Sequence, residues 1–253
     1  MSWETDPGRR ILDLEYFVER ATGENFDGNH PPDSKEIRRN LALLFDRVDR
    51  NVQSLHTPAC SHHIAEAFLR VVDIPGPVVE CGTFKGAMAA KLSILCKHYG
   101  KELYVFDSFK GLPHDEPCTE LHTGDIGTWK KGWFTGHKPE VENSIKYWGC
   151  EQVTTLVEGW FEDTLHLYDI KPSFVFIDVD LVSSMKTCLE HFWPRLQGPY
   201  FFSHEATVKE YIEALLDKEW WSNTINCDLP SHIGVGTGYK DAFHLCRLNK
   251  SLE

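Results

Sequence analysis

The stretch VVECGTFKG, residues Val78 to Gly86, decides how this chain is read. An apolar strand that runs into Glu80, Gly82 and Gly86 has to turn sharply. Glycine permits both that turn and a close approach of backbone to a ligand at the start of the following helix. The next strand-like stretch, LYVFDS from Leu103 to Ser108, ends in Asp107, some twenty residues on, about where a nucleotide-type site needs an acceptor for ribose hydroxyls. The spacing Glu-x-Gly-x-x-x-Gly departs from the Gly-x-Gly-x-x-Gly dinucleotide fingerprint. A carboxylate beside the first glycine is a poor neighbour for a phosphate and a good one for an amine, which favours S-adenosylmethionine over NAD. An ordinary strand-turn-helix is the bland alternative, and the second motif weighs against it.

Outward from this stretch the pattern alternates. Strands are predicted at Val78 to Cys81, Leu103 to Asp107, Val153 to Glu158, Phe174 to Asp178 and Tyr200 to Ser203. Helices are predicted near Gly86 to His98, Val141 to Trp148, Ser183 to Leu196 and Thr207 to Leu216, and Ile233 to Leu248 is read as a closing hairpin. Short continuous apolar strands separated by helices give a mostly parallel sheet covered on both faces. Upstream, Leu41, Leu44, Phe45 and Val48 recur at helical spacing within Ser34 to Val52, and a second helix covers His62 to Val72 before Pro75-Gly76-Pro77. The first ~35 residues, broken by Gly8, Gly23, Gly28, Pro31 and Pro32, read as an arm or cap. The organisation expected is an arm and helical cap over residues 1–56 and a catalytic domain over 57–253, with a lid-like insertion at 113–137.

The net charge of −12 argues against a nucleic-acid partner, which needs a basic face, and favours a small-molecule substrate. There is no long apolar run and no leader pattern, so a soluble cytoplasmic protein with no membrane partner is expected. Eight cysteines lie scattered without a C-x-x-C pair, so they are read as reduced and mostly packing residues rather than a disulfide framework or zinc site.

In an open α/β sheet, ligands collect beyond the carboxyl ends of the strands. Polar residues stand at those ends here: Glu80, Asp107, the pair Asp178 and Asp180, and the pair His204 and Glu205. The segments that carry them, VECGTFKG, YVFDSFKGLP, EGWFEDTL, FIDVDLVSSM and GPYFFSHE, run in order and resemble the macrocin O-methyltransferase family, which methylates sugar hydroxyls of antibiotics. The resemblance extends from about Thr57 to Thr207, and its DSFKGLP and GWFEDTL segments are more specific than the glycine motif.

The resemblance implies a Rossmann-like class I methyltransferase with a seven-stranded, mostly parallel sheet, helices on both faces and an N-terminal helical cap. It implies S-adenosylmethionine at Glu80, Cys81, Gly82, Thr83 and Gly86, ribose at Phe106, Asp107 and Ser108, and adenine near Gly159, Trp160 and Phe161, with Thr57 and Asp178 as further contacts. It also implies a homo-oligomer. Members hold magnesium on the first Asp of an Asp-x-Asp strand end and an Asp-Asp pair on the next strand. Asp178 matches the first position and Asp180 the proposed general base, but His204 and Glu205 replace the pair.

Magnesium is a hard cation that prefers oxygen, so a set of Asp178, His204 and Glu205 better suits manganese, iron(II) or zinc. Alternatively the metal is gone and His204 serves as base, or the chemistry is changed or lost. That last class includes methylation of nitrogen or carbon, another reaction on the same cofactor, and a silent scaffold. The bland reading of Asp178 and Asp180 is helix capping near Ser183. The family's aromatic after Asp-x-Asp is missing, with Leu181 and Val182 in its place, which weakens any transfer of sugar specificity. Lid candidates are the helix around Leu41 to Val48 and the insertion, whose His114, His122, Asp125, Trp129, Lys130, Lys131, Trp133 and His137 could grasp a sugar or an aromatic ring. His62-His63 and Trp220-Trp221 are read as packing residues.

Overall fold

The computed structural model describes residues 35–251, and the arm expected over the first 34 lies outside them. Strands β1 (Val78–Cys81), β2 (Leu103–Asp107), β5 (Thr154–Glu158), β6 (Phe174–Ile177), β7 (Tyr200–Ser203), β8 (Ser231–Ile233) and β9 (Cys246–Asn249) form one sheet in the order β5-β2-β1-β6-β7-β9-β8. Only β9 runs against its neighbours, pairing antiparallel with β7 and β8. The strand order reverses between β1 and β6, and such a switch point opens a crevice at the carboxyl edge.

Period-two alternation gives each strand two buried faces. Val78, Phe174, Phe176 and Phe202 pack on one side against α1 (Lys35–Asn51), α2 (Pro58–Leu69) and α3 (Ala87–Tyr99). Val79, Cys81, Val175, Ile177 and Phe201 pack on the other against α6 (Val182–Arg195), α7 (Lys209–Leu215) and the pair Trp220 and Trp221. Both tryptophans belong to this core, as read from the sequence. The remaining helices are α4 (Lys138–Trp148), the single turn α5 (Phe161–Thr164) and the short α8 (Lys218–Trp220).

The strands follow the sequence reading closely, with two shifted ends: β5 begins at Thr154, and β6 stops at Ile177, one residue before Asp178, whose amide still donates to the Cys81 carbonyl of β1 at 2.8 Å. The expected lid helix α1 is instead part of the core. Leu41, Phe45 and Val48 are buried, and the buried Lys91 of α3 meets Asp49 at 2.5 Å and Ser61 at 2.7 Å. The insertion carries an antiparallel ribbon that the sequence reading missed, β3 (Glu116–Thr119) with β4 (Ile126–Trp129). Glu210 of α7 accepts hydrogen bonds from the Thr119 amide and hydroxyl, and Glu116 accepts one from the Val182 amide, so the ribbon is tied down over the carboxyl edge. All eight cysteines are free, and among the described residues no helix is long and apolar enough to cross a membrane.

Candidate active site

Beyond the carboxyl ends of β1, β2, β6 and β7 lies a cavity of about 260 Å³. Gly82 forms part of its floor at φ +79°, and a Cβ there would stand 1.9 Å from the Asp178 carbonyl oxygen, so only glycine lets β1 and β6 converge. The Asp107 carboxylate organises the same turn, accepting from the Thr83 amide at 2.8 Å and the Phe109 amide at 2.6 Å. Its pKa is raised by burial, against the pull of these amides.

Of the residues assigned to the cofactor from sequence, Gly82, Thr83, Asp107, Ser108, Gly159, Trp160, Phe161 and Asp178 line the cavity. The others do not. Thr57 is exposed and caps α2 through the Cys60 amide. Cys81 and Phe106 point into the core behind the sheet, and Gly86 begins α3 at φ +85°. Glu80 is fully buried, both carboxylate oxygens lack a partner, and burial pushes its carboxyl well above the usual range. The neighbouring Thr83 hydroxyl, itself without a hydrogen-bond partner, pulls the Glu80 pKa the other way but less strongly than burial.

The opposite wall gathers charge. His204 Nδ1 lies 3.2 Å from Asp178 Oδ1 and 2.9 Å from Glu205 Oε1. The other Asp178 oxygen, Oδ2, is 2.8 Å from His56 Nε2. Burial works against the charge on both Asp178 and His204, yet the ion pairs outweigh it: Asp178 is held well below the carboxylate range, and His204 is raised well above the ordinary imidazole value. His56 is lowered by burial, which outweighs Asp178. Asp180 is raised well above the usual range, first by burial and then by Asp178 and Glu205. Asp180 and Glu205 both sit at positive φ, +57° and +63°, a strained backbone of the kind that clusters at functional sites.

Sequence reasoning missed His56, Glu120 and His244. Glu120 and His244 line the cavity, and Thr207 bridges them with its hydroxyl 2.6 Å from His244 Nδ1 and 3.3 Å from Glu120 Oε2. No motif carries these three, because each sits on a loop distant in sequence from the others. Of the insertion's eight proposed grasping residues, only Trp129 lines the cavity. His122 packs on Phe243, Lys130 pairs with Asp115, and His114 lies beside Glu116. His63 is buried between Asp241 and Glu66 as a packing residue.

A family model described as macrocin-O-methyltransferase (TylF) matches residues 60–217. No curated protein matches. The O-methyltransferase NovP superposes with a TM-score of 0.59 at 16% identity, covering 96% of this chain and 99% of that one. CalS11, a calicheamicin methyltransferase, gives 0.58 at 17%, covering 96% and 93%. An O-methyltransferase from Bacillus cereus solved with SAH gives 0.51 at 12%, covering 94% and 100%. At such identities the solved structures speak for the fold alone.

Proposed function

Since this chain belongs to the macrocin O-methyltransferase family, and so is an S-adenosylmethionine-dependent methyltransferase, we propose that it methylates a hydroxyl of a small natural-product intermediate with the help of a divalent ion. The observation that carries this reading is the convergence of His204 Nδ1, Asp178 Oδ1 and Glu205 Oε1. With bonds of about 2.1 Å, neighbouring ligands of one ion lie about 3.0 to 3.4 Å apart, and the 3.2 and 2.9 Å separations here are close to that.

The donor set of one imidazole and two carboxylates suits manganese, iron(II) or zinc better than magnesium. A bound ion would supply Lewis acidity toward the acceptor hydroxyl. Asp180 is the base of this reading, because its raised pKa brings a carboxylate closer to neutral working pH. His204 suits that role poorly. In this reading Nδ1 is a ligand of the ion and the ring's one proton sits on Nε2, so neither nitrogen has a lone pair free.

For the cofactor, the unpartnered buried oxygens of Glu80 and Thr83 lie next to the glycine turn, which fits a ligand carrying a cationic amine. Asp107 and Ser108 would take the ribose, and Trp160 and Phe161 the adenine. Bound there, S-adenosylmethionine supplies a methyl group already activated on a sulfonium. The protein's own task is to aim the acceptor, remove its proton and exclude water, and the β3-β4 ribbon with Trp129 and Phe134 forms the water-excluding wall.

Six carboxylates line the cavity, from Asp107, Glu120, Glu162, Asp178, Asp180 and Glu205, and among the described residues no lysine or arginine does. Like charge repels a phosphate, so the acceptor in this reading is neutral or cationic, unlike the TDP-rhamnose named for CalS11. The reading also includes a cytoplasmic homo-oligomer, which size-exclusion chromatography of the purified protein checks.

The test is calorimetric titration with S-adenosylhomocysteine, as isolated and after chelation, with metal content measured on the same sample. Micromolar affinity, about −8 kcal/mol, together with a stoichiometric transition metal supports the reading. No binding in either state overturns it in favour of a scaffold.

A further inference from the structure

His56 has no role in the glycine motif, the ribose site or the base, yet its ring is held in the middle of the charged wall. We propose that His56 is a positioning residue for the ion site: by holding Asp178 Oδ2 through its Nε2–H, it turns Asp178 Oδ1 toward His204 and Glu205. The inference rests on the reading of those three residues as ion ligands.

The two oxygens of Asp178 are divided between two histidines. Oδ2 meets His56 Nε2 at 2.8 Å, and Oδ1 meets His204 Nδ1 at 3.2 Å. In this arrangement the imidazole Nε2–H donates and the carboxylate oxygen accepts. Groups that bind the free oxygen of a ligating carboxylate fix its orientation, and their loss typically weakens metal binding by about 10- to 100-fold.

His56 is well fixed for such a task. Its ring meets Phe176 edge-on with centroids 5.6 Å apart, and His204 edge-on at 4.8 Å. Its amide donates to Ser54 Oγ at 3.1 Å, and the next residue, Thr57, caps α2 ahead of Pro58. Without His56, Oδ2 would be left with a desolvated lone pair, and rotation about χ2 would be free to exchange the two oxygens. The orientation of a strand-end ligand is therefore set by a side chain 122 residues away in sequence, at the entry to α2.

Three proteins test this: wild type, His56→Ala and His56→Gln. The Gln amide reaches about as far as Nε2 and can donate to the same oxygen. Each is stripped with chelator, checked by thermal unfolding and by S-adenosylhomocysteine affinity, and titrated calorimetrically with Mn²⁺. Mn²⁺ affinity should fall about 10- to 100-fold in His56→Ala and recover most of the way in His56→Gln, with cofactor affinity within twofold throughout. Unchanged Mn²⁺ affinity in a folded His56→Ala overturns the proposal, as does a His56→Gln no better than His56→Ala. If wild type itself binds no Mn²⁺, the ion reading fails first and takes this inference with it.

Co²⁺ adds a spectroscopic arm. Cys60 Sγ and nitrogens of His56 and His204 all lie within 4.8 Å of one another. A sulfur-to-cobalt charge-transfer band that disappears in Cys60→Ser would mean that His56 and Cys60 coordinate the ion directly, which overturns a role exerted through Asp178. A Co²⁺ spectrum with no such band supports it.

Discussion

Asp107→Asn separates two roles that the cofactor turn combines. Asp107 Oδ2 accepts from the Thr83 amide and Oδ1 from the Phe109 amide. Asparagine keeps the shape but offers one oxygen, so its NH₂ must face one of the two amide donors. A hydrogen bond to a charged group contributes about 1.5 to 3 kcal/mol, and Asn should therefore cost about 2 kcal/mol of stability. For a chain of this length that is a fall of roughly 4 to 8 °C in melting temperature. If the carboxylate also takes the ribose, affinity for S-adenosylhomocysteine should fall tenfold or more. Urea unfolding reads the first quantity and calorimetry the second. A variant with lowered stability and intact affinity would leave Asp107 as an anchor of the turn only. Unchanged stability and unchanged affinity together would refute the reasoning from the geometry.

Gly82→Ala should cost about 3 kcal/mol or more, since its Cβ meets the Asp178 carbonyl oxygen and its φ is positive; Gly100→Ala, at φ +67° with open space around it, should cost only about 1 to 2. Equal melting temperatures for the two variants would show that the close approach of β1 and β6 is not rigid. Glu66 is held down to about 2, as hydrogen bonds from His63 and Lys240 overcome burial. Its folded value lies below its unfolded one, so its stabilisation, at most roughly 3 kcal/mol, is complete above pH 4.5 and is lost as pH falls toward 2. The stability gap between wild type and Glu66→Gln should close over that window, and a gap independent of pH counts against the pairing. His204→Ala should abolish turnover and metal uptake while leaving S-adenosylhomocysteine affinity within about twofold; full activity would mean that the imidazole is dispensable. Glu210→Ala removes both bonds to Thr119 and should speed tryptic cleavage at Lys130 and Lys131, whereas an unchanged rate would show that Glu116 alone secures the ribbon.

The glycine-turn side of the cavity was legible because its physics is local. A buried strand, a turn requiring glycine and a helix start lie within nine residues, and the Asp107 turn and Gly159 to Phe161 are equally contiguous. The sheet was legible because runs such as Phe174 to Ile177 leave no polar face to expose. The ribbon was missed because EPCT and IGTW carry proline and glycine and show no alternation, being held by Glu210 and Val182 rather than by their own propensity. The supposed lid helix was misjudged for a related reason: periodicity shows that Leu41, Phe45 and Val48 share a face, but not that α3 covers it.

On the charged wall, Asp178, Asp180, His204 and Glu205 were legible as strand ends, and three further residues were not. His56, Glu120 and His244 come from three loops, and each has an unremarkable neighbourhood in sequence. Their significance arises from electrostatics that exist only once the chain is folded. Asp178, Asp180 and Glu205 crowd one buried wall, and without a compensating cation such a group would cost several kcal/mol. The fold supplies His204, whose raised pKa shows how strongly those carboxylates demand positive charge. The pKa of Asp180 is raised, first by burial and then by Asp178 and Glu205, against a smaller opposing pull from His204. One imidazolium satisfies only part of the wall, while a divalent ion on Asp178, His204 and Glu205 would satisfy more of it. Against the Asp-Asp pair that the resemblance led us to expect, His204 and Glu205 carry one negative charge fewer and add a donor to the wall.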